Sequence, residues 1–216
     1  MTKCERITLY VTGIFGILAA LIVGTGEFLL HFDPLSRFSE ATYVFMTDIP
    51  NNRQTLGHFI AVLGSPLYLI GCWHIYLMLK PASKTWAFIA FIISSYGFII
   101  GGDWISSRAS IGAIIHLQDN SLQNLIKLYD LRYESLLSII RVTTSVLSVI
   151  FVLLVLSNKS HYRKWHAIFN PIVLLLLSFL LYVINPDLGK YIMPIALNVA
   201  FGIFFLLSTL QIRNIK

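Results

Sequence analysis

Three charged side chains interrupt the most apolar parts of this chain: Glu27 near the end of one hydrophobic run, Asp103 at the end of another and Arg141 inside a fourth. An ionisable group in an apolar span is expensive, so it faces a protein interior, finds a partner and marks a functional path. A carboxylate in such a place can act as acid, base or counter-charge. Arginine stays charged whatever surrounds it. Arg141 is therefore expected either to pair with Asp103 or Glu27, or to snorkel along its own helix to the outer surface.

Other polar residues fall at a similar depth. His31 follows Glu27 by four residues and shares its helical face. His58 opens the second apolar run, and Asn198 lies in the last. Arg108 and His116 join the group if the mixed segment that carries them folds back. Glu27, His58, Asp103, Arg108, His116, Arg141 and Asn198 are thus the candidate pocket. Glu27, His31, His58 and Asp103 include ligand types that zinc accepts, but no tight motif such as H-E-x-x-H supports a metal site. A second polar group, His74, Tyr76, His166 and Asn170, lies in the other half of the spans. Two imidazoles at one depth could hold a b-type haem, although histidines near an interface are common in membrane proteins of every kind. No cofactor, metal or haem, is expected.

The elements that must position these residues follow from composition. Of 216 residues 56% are hydrophobic and 12% charged, with a mean hydropathy of +0.76. Soluble domains carry about 25% charged residues, so this chain needs the lipid bilayer as its solvent. Six runs are long enough to cross one as helices: roughly Ile7–Leu30, Thr55–Leu79, Thr85–Gly102, Ser135–Leu156, Trp165–Ile184 and Ile192–Leu210. The fold class is therefore an all-α integral membrane protein, residues 1–216 forming a single six-span domain. Between the third and fourth spans, Leu122, Leu125, Ile126 and Tyr129 recur at helical spacing among polar residues, the pattern of an amphipathic helix on the membrane surface. The segment from Asp103 to Gln118 either extends the third helix or re-enters the membrane.

The net charge of +6 does not indicate nucleic acid, because the basic residues flank apolar runs rather than cluster. Lys3, Arg6, Lys80, Lys84, Lys159, Arg163, Lys164, Arg213 and Lys216 fall on one side of the expected bundle. Arg37, Arg53, Lys127, Arg132 and Lys190 fall on the other. The richer side is cytoplasmic by the positive-inside rule, which places both termini there. Cys4 and Cys72 are not spaced for a disulfide framework or a metal.

In the second span Gly57, Gly64 and Gly71 recur every seven residues, a face on which another helix can pack closely. Pro66 removes a backbone hydrogen bond beside Gly64 and Ser65 and is expected to kink the helix. Arg53, Leu56-Gly57, Gly64, Pro66 and the run Tyr68 to Tyr76, with Gly71, Cys72, Trp73 and His74, resemble a family of small bacterial multi-span membrane proteins that is catalogued as a domain of unknown function. Gly26-Glu27 with Leu29-Leu30, Gly112-Ala113 with His116, and Asn170-Pro171 add to the resemblance. It implies a bacterial cytoplasmic (inner) membrane and gives weight to Glu27, His74 and His116.

The expected function is a multi-pass protein with an outward-facing intramembrane pocket that binds, senses or transports a small amphiphilic or lipid-like ligand. Two alternatives stand beside it. One is a membrane-embedded enzyme acting on a lipid, with Glu27 or Asp103 as acid or base beside His116 or His58. The other is a b-haem electron carrier.

Overall fold

Backbone polar groups in hydrocarbon must bond within their own segment, and among the described residues the apolar runs are built from helices. The computed structural model describes residues 2–37 and 43–215, and among these there is no strand. Lys216, counted above among the basic residues, lies outside them. Among the described residues eight α-helices follow one another: α1 (Lys3–His31), α2 (Asn51–Gly64), α3 (Leu67–Leu79), α4 (Lys84–Ile115), α5 (Gln123–Leu156), α6 (Pro171–Ile184), α7 (Pro186–Ile192) and α8 (Ala196–Gln211).

Helix α1 starts at a capping box: Thr2 Oγ1 accepts from the Glu5 amide and Glu5 Oε2 accepts from the Thr2 amide, at 3.2 and 2.7 Å. At its other end Arg53 donates to the Phe32 carbonyl at 2.9 Å, a cation at the negative end of a helix dipole. Helices α2 and α3 form one apolar stretch, Asn51–Leu79, interrupted at Ser65-Pro66. Proline cannot donate to the Val62 carbonyl, and the Ser65 hydroxyl takes that acceptor instead at 2.9 Å. The glycine face of this span lies against α1 as the spacing implies. Gly57 meets Gly26 and Gly71 meets Gly16, so close that a Cβ on Gly57 would sit 2.6 Å from the Gly26 carbonyl.

Among the described residues five helical stretches are long and apolar enough to cross a membrane: Lys3–His31, Asn51–Leu79, Lys84–Ile115, Gln123–Leu156 and Pro186–Asn214. The expected fifth span is different. It divides into a 3₁₀ turn, Lys164–Phe169, and α6, which has 14 residues, about 21 Å at 1.5 Å per residue. Asn170 stands at the break and caps α6, its Oδ1 accepting from the Val173 amide at 3.2 Å.

The stretch between the third and fourth spans corrects the expectation of a separate surface helix. Residues 123–134 are the first turns of α5, which runs 34 residues without a break. No glycine or proline stands between Gln123 and Leu156 to end it, so the amphipathic turns continue into the apolar ones. Residues 103–115 likewise extend α4 to 32 residues and do not re-enter. At roughly 48–51 Å, both helices exceed a ~30 Å hydrocarbon layer, and they pack on each other as a long hairpin.

Helices α1 and α8 run antiparallel. Gly13 meets Thr209, Gly16 meets Phe205 and Gly24 meets Asn198. The chain therefore ends where it began, with Arg6 donating to the Ile215 carbonyl at 2.7 Å. The turn after α5 joins this end, since the His161 amide bonds the Met78 carbonyl and Gln211 donates to the His161 carbonyl.

Candidate functional site

Glu27 sits one turn before the end of α1 and is 3% exposed, too deep for a wet helix end. Both its oxygens are held. Oε1 pairs with Arg108 Nη1 of α4 at 3.3 Å, and Oε2 accepts from Asn198 Nδ2 of α8 at 2.6 Å. Tyr68 of α3 donates to Asn198 Oδ1 at 2.7 Å and so fixes the amide's orientation. One carboxylate thus ties four helices together.

Arg108 reaches Glu27 because α4 continues past Asp103. Its buried positions there are Trp104, Ile105, Arg108, Ile111, Gly112 and Ile115, a helical stripe with a single cation in it. The guanidinium lies 4.4 Å from the Trp104 ring and 5.1 Å from that of Tyr133, and it donates to the Tyr133 hydroxyl. Trp104 and Tyr133 stack on one another at 5.2 Å. Tyr43, outside the spans, closes this group, edge-on to Tyr133 and donating to Asp130 at 2.7 Å. Burial, then the bond to Asp130, pushes the Tyr43 phenol well above its ordinary range.

Beside the ion pair is a cavity of about 590 Å³. Glu27, Trp104, Arg108 and Tyr133 form its inner end. Leu137, Ile140 and Thr144 of α5 face Ile172, Leu175 and Phe179 of α6 across it. The two helices meet where the Ile172 amide bonds Ser148 Oγ at 3.3 Å and touch little beyond that point. The cavity fills the gap that opens between them. A smaller space of about 40 Å³ lies on the other side of Glu27, towards Tyr68 and Phe98.

Of the residues expected to share a pocket, Glu27, Arg108 and Asn198 are brought together. Arg141 stands at the cavity's mouth, 63% exposed and 3.8 Å from Glu134, two helical turns back on α5. Of the two alternatives for Arg141, the pairing with Asp103 or Glu27 is not formed: Arg108 holds Glu27, and Asp103 is exposed. His58 is half-buried against Phe59 and does not line the cavity. His116 also stays out. Its Nε2 lies 2.9 Å from the Ile49 carbonyl and 3.0 Å from the Gln54 amide nitrogen, fastening the segment before α2 to the end of α4. In that same connection Asp33 bonds Arg37 at 2.9 Å. Burial raises the Asp33 carboxyl, but the bonds from Arg37 more than offset this and hold it below the usual range. Trp104, Tyr133 and Tyr68 belong to the site although the sequence reading placed none of them in the pocket. The signal for Trp104 was the same buried stripe that carries Arg108.

The second polar group does not assemble as expected. His74 is fully buried, with Nδ1 3.2 Å from Thr12 Oγ1 and Nε2 2.7 Å from Ser208 Oγ. Tyr162 continues that chain to Ser208 at 2.7 Å. Tyr76 packs instead among Trp73, Phe88 and Phe91. His166 stacks on Trp165 at 3.7 Å, and Asn170 is spent on the α6 cap. With both ring nitrogens engaged, His74 is not set up as an axial ligand. Among the described residues no three His, Cys, Asp or Glu side chains converge.

No curated protein and no solved structure matches the chain. One family profile does, over residues 2–214, nearly the whole length, and the chain belongs to that family, described as "Family of unknown function (DUF6796)".

Proposed function

We propose that this protein spans the bacterial inner membrane six times and holds a small amphiphilic or lipid-like ligand in the cavity beside Glu27 and Arg108. The observation that carries the reading is the cavity itself. Its 590 Å³ falls within the ~300–1,000 Å³ of small-molecule sites, its walls are apolar, and its inner end is a buried ion pair. An apolar tail fits along Leu137, Ile140, Leu175 and Phe179, with its polar head at Arg108. The gap between α5 and α6 gives access from the bilayer. A lipid-cleaving enzyme needs a free acid or base, and both Glu27 oxygens are already engaged, so binding is the preferred reading. Sensing and transport would use the same site.

Protein purified in mild detergent is expected to carry a co-purifying amphiphile, detected by mass spectrometry of the extract. Thr144→Trp should fill the cavity and lower retention roughly tenfold, which corresponds to about 1.4 kcal/mol of affinity, with helicity unchanged. Equal retention by variant and parent would remove this cavity as the site.

The six crossings are supported by the contact of Arg6 with Ile215. Ends that meet require an even number of crossings, so α6 with its 3₁₀ turn joins the five long stretches as the remaining one. The basic residues gathered at that end favour the cytoplasm, which puts the cavity towards the outer side. Reporter fusions in the Lys159–Lys164 loop and at Asp187–Lys190 should report cytoplasm and periplasm respectively. The same side for both would sink the crossing by α6, and the reverse assignment would invert the orientation.

A further inference from the structure

Two buried donors that line the cavity have unfilled hydrogen-bonding capacity. Arg108 is 5% exposed, and its Nε–H has no partner; Trp104 is 8% exposed, and neither has its Nε1–H. Both residues line the cavity, and both can only donate. Glu27 takes Nη1 and the Tyr133 hydroxyl takes Nη2, leaving three of the five N–H donors of a guanidinium. The acceptors are better served: Glu27 has a donor on each oxygen. A buried donor left unmade is costly, so the group that completes this site is an acceptor. Arg141, exposed at the mouth in its loose 3.8 Å contact with Glu134, adds a second cation on the way in.

We propose that the cavity recognises the acidic head group of a single-chain amphiphile, a carboxylate or a phosphate monoester, through Arg108 and Trp104. This rests on the reading that the cavity holds an amphiphile and names the chemistry of its head. Ionised acceptors make the stronger bonds to such donors, and the planar guanidinium suits carboxylate and phosphate alike. The Trp104 ring over Arg108 at 4.4 Å and its stack on Tyr133 hold the guanidinium plane in place before the ligand arrives.

The test is equilibrium binding, in an uncharged detergent at pH 8, of dodecanoic acid, dodecyl phosphate, dodecanol and dodecylamine to the purified full-length protein. The two acids are expected to bind at least about tenfold more tightly than the alcohol and the amine, as fits one charge-assisted hydrogen bond. Whichever acid binds more tightly identifies carboxylate or phosphate as the natural head. Trp104→Phe keeps an aromatic ring over Arg108 and removes the indole donor. It should lower acid affinity roughly tenfold and dodecanol affinity by less, because a neutral hydroxyl accepts a weaker bond than an ionised oxygen, while Arg108→Lys, where it folds, should narrow the acid preference in the same way. Equal binding of all four probes, or tightest binding of the amine, overturns the head-group inference and leaves the cavity an amphiphile site. Acid selectivity untouched by Trp104→Phe also overturns it. Binding of none of the four overturns this inference and the underlying function together.

Discussion

Replacing Arg108 with methionine is expected to cost the folded protein about 3–5 kcal/mol, the loss seen when one partner of a buried ion pair is removed and the other stays. The reason is local. Glu27 is 3% exposed and would keep only Asn198 as a donor. The apolar replacement of both partners, Glu27→Leu with Arg108→Met, should recover most of the loss, because the desolvation of both charges disappears with them. Glu27→Gln should fall between, since an amide still meets Asn198 but leaves the guanidinium without a counter-charge. Reversible unfolding in mixed micelles measures these proteins together with Glu27→Leu, the second single variant that the cycle needs, and the non-additivity of the double variant then gives the coupling. A loss below about 1 kcal/mol for Arg108→Met, the range of an exposed pair, would mean that the pair is wetter than its burial implies.

The second large effect is expected at Gly26. A Cβ there would sit 2.6 Å from the Gly57 carbonyl and 2.8 Å from Ala61 Cα, backbone atoms that cannot swing aside. Gly26→Ala should therefore force α1 and α2 apart, at a cost of about 1–3 kcal/mol for overpacking. It should also disturb Glu27, which is the next residue. Gly101→Ala is the control, with nothing within 4 Å of the added carbon. There the usual preference for alanine in a helix, about 1 kcal/mol, should be neutral to stabilising. If both variants melt alike, close packing of the glycine face is not what holds these helices together.

The helical class, the positions of the apolar runs and the glycine face of the second span were all legible in the sequence, because each rests on a local pattern. Pro66 announced its break in the same way. Glu27 and Asn198 were legible as costly groups in apolar surroundings. What stayed hidden was the partner. Arg108 lies in a stretch of serines and small residues whose mean hydropathy hides its helical stripe, and the stripe appears only when Trp104, Ile105, Ile111 and Ile115 are read at a period of 3.6. Arg141 drew attention instead because its neighbours are uniformly apolar. Apolar neighbours along one helix do not say which way a side chain faces, and this one faces out. The amphipathic turns before Ser135 were misread for a related reason: a pattern marks the polar face of a helix but not where that helix ends.

The four-helix tie at Glu27 also sets an order of events in time. Its two donors are encoded 81 and 171 residues downstream. At ~5–20 residues per second of synthesis, Arg108 emerges roughly 4–16 s after Glu27, and Asn198 roughly 9–34 s after it. For a chain that inserts as it is made, the first helix must wait with a carboxylate that nothing yet answers. In a bilayer, its position one turn from the helix end would let that carboxylate stay at the headgroup level during the wait. Arg108 of α4 can answer it first, and Asn198 of α8 only later. The tie is thus completed by α8, and a chain that stops before Asn198 should leave α1 without the amide that its carboxylate needs.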